Sequence, residues 1–151
     1  MLERGRSGKL IPLKDTGRRV LSANVAAQLT YALQGVVQHG TGVAAQLGAR
    51  PVAGKTGTAE NFQDAWFCGY VPQLATCVWV GYPRGEISLY NVEGVGAVAG
   101  GTLPAEIWHA FMEPAVAKLP AMSFPTPDLN GGSLINGDGT YSYSQYPTTT
   151  G

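Results

Sequence analysis

Gly54-Lys55-Thr56-Gly57-Thr58 is the segment whose residue types can do chemistry. Two chemistries compete for it. A phosphate loop needs Gly, four residues, then Gly-Lys-Thr, with a helix directly after it. Gly48 stands one residue too early, position 49 is Ala, and a strand-like run follows Thr58 at a short distance. The nucleotide reading therefore predicts a helix after Thr56, and a strand there eliminates it. The second chemistry is acyl transfer on a strand edge; the plain alternative to both is an exposed strand start with a solvated lysine. A lysine ammonium polarises the site and attracts a substrate carboxylate. Threonine hydroxyls donate hydrogen bonds to that carboxylate. Glycine lets an acyl chain lie close to the backbone, and an N–H on the edge can serve as an oxyanion donor.

The flanking elements must position this strand. Val25, Leu29, Ala32, Leu33, Val36 and Val37 recur at steps of three and four. That spacing predicts an amphipathic helix with a buried apolar face, capped by Ser22 and stopped near Gly40. One or two further helical turns are expected over 42–47. Residues 65–71 and 75–82 are aromatic and β-branched, are separated by Pro72-Gln73-Leu74, and read as a hairpin. A weak strand is expected over 87–90. Thr102 and Pro104 open a last helix, with Ile107, Trp108 and Phe111 on its apolar face and Pro114 kinking or ending it. The chain divides into a polar segment 1–19 with a possible strand arm at 10–13, a body over 20–119, and a Gly/Ser/Thr/Pro-rich flexible tail over 120–151.

Composition narrows the function classes. Apolar residues make up 44% and charged residues 13%, which fits a globular domain rather than a disordered one. Ten basic and ten acidic residues leave no net charge, so no nucleic-acid partner is expected. No run approaches a membrane span, and no leader sequence is recognisable. Two cysteines and two histidines in no zinc spacing predict no metal, and no cofactor motif is present.

The surrounding segments resemble a known family. Residues 33–42 are similar to the helix and Gly-Thr-Gly turn upstream of the Lys-Thr-Gly strand in class A, bifunctional penicillin-binding proteins. Residues 52–58 resemble that strand, 64–72 and 78–82 the next two strands, and 100–108 the start of the closing helix. The cysteines and the Tyr82-Pro83 ending point to an actinobacterial-type member. The resemblance implies an α/β (α+β) fold, the serine penicillin-recognising antiparallel sheet flanked by helices, here lacking its N-terminal side. It implies D,D-transpeptidation of peptidoglycan stem peptides through an acyl-serine, with β-lactams as covalent inhibitors. By position, Lys55 polarises the site, Thr56, Gly57 and Thr58 bind substrate, and the Thr58 backbone N–H supplies part of the oxyanion hole. The implied location is the extracytoplasmic face of the membrane.

The same family requires Ser-x-x-Lys, and no such tetrad occurs in these 151 residues. Ser7-Gly8-Lys9 is one residue short. Ser22-Ala23-Asn24 matches a second family element, Ser-x-Asn, only by type, because it lies too close to Lys55; Ser22 reads as a cap. Covalent catalysis needs a nucleophile beside its base, so this chain alone is expected to be inactive, a truncated or split product whose partner is the missing N-terminal half. The alternative is a non-catalytic cell-wall binding module built from the same half-domain.

Register carries a further expectation. A two-residue turn at Pro72-Gln73 places Cys68 opposite Cys77 and Trp66 opposite Trp79. Facing Cβ atoms are then close enough for a disulfide; the alternative is two small residues buried on one face. The tryptophans are expected to pack a core, Glu60 and Asp64 to lie in a solvated loop, His39 at a helix C-terminus, and His109 to face solvent.

Overall fold

A computed structural model describes residues 2–4 and 10–12 as backbone and residues 17–129 in full. Two short strands, β1 (Leu2–Arg4) and β2 (Leu10–Pro12), pair antiparallel. Helix α1 spans Ala23–Gln38. A single 3-10 turn at Val43–Ala45 stands where one or two helical turns were expected. A three-stranded antiparallel sheet follows, β3 (Ala53–Thr58), β4 (Asp64–Val71) and β5 (Leu74–Gly81), in that spatial order. A small hairpin, β6 (Tyr90–Val92) and β7 (Val95–Ala97), precedes helix α2 (Leu103–Val116). The weak strand expected over 87–90 thus begins only at Tyr90, while Leu89 is buried beside Ala65 and Val98.

The sheet alternates along β4 and β5 as a period-two pattern must. Ala65, Phe67, Gly69 and Val71 are buried, while Trp66 is exposed and Cys68 and Tyr70 are half-buried between them. The buried face packs on α2. Trp108 lies edge-on to Phe67 with ring centroids 5.4 Å apart, and its indole Nε1 donates to the Thr76 carbonyl at 3.0 Å. Met112, Val116, Ala105, Val37, Val52 and Ala45 complete this core. Pro114 does not stop α2, which continues to Val116; it stands within the last turn, where few hydrogen bonds remain to be lost. Arg50 then holds the end of this helix, donating to the Val116, Leu119 and Pro120 carbonyls at 3.1, 2.7 and 3.0 Å. A cation at a helix C-terminus satisfies free carbonyls and complements the dipole.

Helix α1 departs from its sequence pattern in one respect. Val37 is buried, but Val25 and Leu29, on the expected core face, are about half exposed, as are Leu21 and Tyr31. The capping expectation fits the geometry: the Ser22 hydroxyl accepts from the Val25 N–H at 3.2 Å. Ser22→Ala is expected to cost about 1 kcal/mol, read as a shift of the urea midpoint with an unchanged slope.

The packed body extends beyond residue 119. Asp128 accepts from the Asn24 and Gln28 side chains at 3.0 and 2.7 Å through its carbonyl, and Phe124 lies edge-on to Tyr70. The Gly/Ser/Thr/Pro-rich composition of 120–151 taken together suggested a free tail, although 120–129 itself carries Met122, Phe124 and Leu129. Residues 130–151 of the expected tail, and Ser7-Gly8-Lys9, lie outside the described residues.

Candidate functional site

Lys55-Thr56-Gly57-Thr58 forms the outer strand of the sheet. Among the described residues β3 pairs with β4 on one side only, with Lys55 opposite Cys68, Thr56 opposite Phe67, Gly57 opposite Trp66 and Thr58 opposite Ala65. The strand runs through Thr58 and leads to a short 3-10 turn at Glu60–Phe62 and then β4. No helix follows Thr56, so the phosphate-loop geometry is not built.

The open edge has a defined polarity. Ala59 N–H donates to the Asp64 carbonyl at 2.8 Å, directed toward β4. Successive strand amides point to opposite sides, so Gly57 and Lys55 also face β4, while Thr58 and Thr56 direct their N–H groups to the open edge. The Thr58 amide therefore has the orientation an oxyanion donor requires. Lys55 is exposed, and its ammonium donates to the Thr56 carbonyl at 2.8 Å, on the same edge.

Two loops brace the threonines. The Thr56 and Thr41 hydroxyls share a hydrogen bond of 2.8 Å. The Thr58 hydroxyl accepts from the Gly100 N–H at 3.0 Å. A hydroxyl offers one donor and two acceptor positions, so Thr58 retains its O–H for an anionic ligand. Glycine is required at position 100 because a Cβ there meets the Gly57 carbonyl at 2.6 Å, the Gly57 nitrogen at 2.7 Å, and the Trp66 carbonyl. A Cβ at Gly101 meets the Thr41 carbonyl. Sequence reading placed residues 100–101 at a helix start; it did not show that they press on the Lys-Thr-Gly strand. Thr102 is not a conventional cap either. Its hydroxyl turns back to accept from the Ala99 N–H at 3.0 Å and donate to the Ala99 carbonyl at 2.8 Å, which holds this loop in place.

The remaining sequence-picked residues fall in three groups. Cys68 and Cys77 are joined by a disulfide with the sulfurs 2.06 Å apart; they are not a buried pair, since Cys77 is exposed and Cys68 half-buried. Trp66 and Trp79 face each other across β4 and β5, but they are 45% and 40% exposed and form no core. Asp64 opens β4 rather than sitting in a loop, and its carboxylate accepts from Trp79 Nε1 at 2.6 Å. His109 docks instead of facing solvent: its Nδ1 donates to the Gln46 carbonyl at 2.7 Å. His39 caps the C-terminus of α1. Among the described residues no cluster of His, Cys, Asp or Glu could hold a metal ion.

Part of one sheet face stays open. Trp66, Cys77, Trp79 and Ala75 are exposed on this face, while Tyr70 on the same face is contacted by Thr30 of α1 and by Phe124. β5 has no partner on its outer side among the described residues, and Leu74–Gly81 carries no charge to protect that edge.

The family described as penicillin-binding protein transpeptidase domain matches residues 9–94. Penicillin-binding protein 1A of Mycolicibacterium smegmatis is 37% identical over 126 residues, covering 79% of this chain and 16% of that protein. Its counterpart from Mycobacterium tuberculosis is 35% identical over 123 residues, covering 78% and 15%. The chain therefore spans about one sixth of the curated relatives it matches. The solved structure of penicillin-binding protein PonA1 from M. tuberculosis superimposes with a TM-score of 0.69 at 31% identity, covering 82% of this chain and 34% of that one. The same protein in complex with penicillin V gives 0.68 at 32%.

Proposed function

We infer the role of this chain from the fact that it belongs to the penicillin-binding protein transpeptidase family, as a class A fragment with the corresponding partial fold. It supplies one wall of a D,D-transpeptidase cleft. Lys55 polarises the site, Thr56 and Thr58 hold the carboxylate of a peptidoglycan stem peptide or β-lactam, and the Thr58 N–H contributes to the oxyanion hole. The observation that carries this reading is the outer edge of β3, unpaired among the described residues, which brings together a lysine, two threonines and an outward amide.

The chain needs a partner to complete the reaction. Acylation requires an activated serine, and no Ser-x-x-Lys is encoded here. The partner is the N-terminal part of the same domain, which brings the nucleophile helix and further strands. The exposed apolar sheet face, the Val25–Leu29 side of α1 and the uncharged β5 edge are the surfaces it would cover. An exposed patch of this kind marks an interaction site. In the assembled protein the site lies on the extracytoplasmic face; among the described residues no helix is long and apolar enough to cross a membrane.

Co-expression with a polypeptide carrying Ser-x-x-Lys tests the proposal. The complex should acylate with penicillin, and Lys55→Ala within it should slow acylation on the order of 100-fold, the range found when an electrostatic donor is removed. Unchanged acylation in the lysine variant would remove Lys55 from the site. A non-catalytic cell-wall module predicts that the complex binds peptidoglycan but never acylates.

A further inference from the structure

Lys55 and the disulfide share one face of the sheet. The β3–β4 ladder sets Lys55 opposite Cys68, and the β4–β5 ladder sets Cys68 opposite Cys77. Together with Leu33 of α1 and Tyr70 they line a cavity of about 340 Å³. The amide alternation that turns Lys55 N–H toward β4 makes Lys55 and Cys68 a hydrogen-bonded pair. Cys68 and Cys77 then occupy a position where the two backbones exchange no hydrogen bond. The sulfur bridge is the direct link between β4 and β5 at that level.

The bond joins residues only nine apart in sequence, within a hairpin whose strands are already paired along their length. Chain-entropy stabilisation grows with loop size, so a bond here contributes less to global folding than to local geometry. Its exposure matters too. Cys77 is open to solvent, and thiol attack requires access to a sulfur.

We propose that Cys68–Cys77 is a reducible positioning element for Lys55. The closed bond fixes the floor under the ammonium, and opening it loosens β4 beneath the Lys55 strand. A low-molecular-weight thiol is the reductant. Its thiolate attacks the sulfur of the exposed residue Cys77, the S–S bond breaks, and Cys68 leaves as a thiolate that takes up a proton. A second thiolate displaces Cys77 from the mixed disulfide. Two thiols are oxidised to one disulfide, and the two cysteines gain two electrons and two protons. The consequence for catalysis rests on the role proposed for Lys55; the effect on Lys55 itself does not.

The test uses the full chain with dithiothreitol and no denaturant. Mass spectrometry of the folded protein should show a gain of about 2 Da as the bond opens. The Lys55 side-chain NMR signal should then move while that of Lys118 stays in place. Amide exchange at Lys55 and Gly57 should rise at least about fivefold, the signature of local opening. The Cys68→Ala/Cys77→Ala variant should match the reduced protein and ignore the reagent; if it does not fold, the reduced chain carries the comparison. Reduction that occurs only in denaturant overturns the proposal, as does reduction that leaves the Lys55 signal and both amides unchanged. No readout involves penicillin, so this inference and the transpeptidase reading fail separately.

Discussion

Gly100→Ala is expected to lower penicillin acylation of the complemented domain on the order of 100-fold, the cost of roughly 1 Å of misplacement at a reacting site. The added methyl meets backbone atoms rather than a flexible side chain: the Gly57 nitrogen and carbonyl and the Trp66 carbonyl. Backbone cannot rotate away. Either the 99–102 loop lifts from β3 or the β3–β4 ladder shifts. Both responses break the 3.0 Å bond from Gly100 N–H to the Thr58 hydroxyl and move the edge that carries the Thr58 amide. Stability should fall as well, by about 1–3 kcal/mol for an overpacked position. Stopped-flow acylation and urea denaturation measure the two effects. A variant that acylates at the normal rate would show that this loop does not brace the site.

Trp108→Ala is expected to cost about 3–5 kcal/mol, the range for truncating a buried aromatic residue. Trp108 is fully buried and stacks edge-on with Phe67. The substitution leaves a cavity and strips the Thr76 carbonyl of its indole donor. A domain of this size has about 5–15 kcal/mol in total, so the variant should lose between about a fifth and all of its stability, read as a lowered urea midpoint. Trp108→Phe separates the two contributions, since it keeps most of the volume and loses the hydrogen bond. It should cost about 0.5–1.5 kcal/mol, the net worth of one hydrogen bond, because the Thr76 carbonyl keeps its ladder partner Gly69 on β4. Equal losses in the two variants would place the energy in the hydrogen bond rather than in packing.

These two positions show what was legible in the sequence. Trp108 stood out as part of the apolar face expected for the last helix, and the structure buries it, while Ile107 and Phe111 of that same expected face are exposed. The hairpin was equally readable. Pro72-Gln73 allowed one short turn, and a two-residue turn dictates that Trp66 faces Trp79 and Cys68 faces Cys77. Gly100 was not readable in this way. Its contact with Gly57 joins segments more than forty residues apart, and a missing side chain leaves no pattern. Arg50 escaped for a similar reason, because it works through carbonyls at the end of a helix far along the chain.

The misreadings have a common physical cause. Periodicity reports that a face is apolar, not what covers it. Val25 and Leu29 have the spacing of core residues, and Trp66 and Trp79 the pairing of core aromatics, yet all four are exposed. Under the proposed function they are core residues of a larger domain whose other half lies on another segment of polypeptide.

Fluorescent penicillin labelling tests that account most directly. This chain alone should take up no label, since it encodes no Ser-x-x-Lys. Mixed with a polypeptide that supplies the tetrad, the label should appear on the partner and not on this chain. Covalent label on this chain by itself would contradict the account.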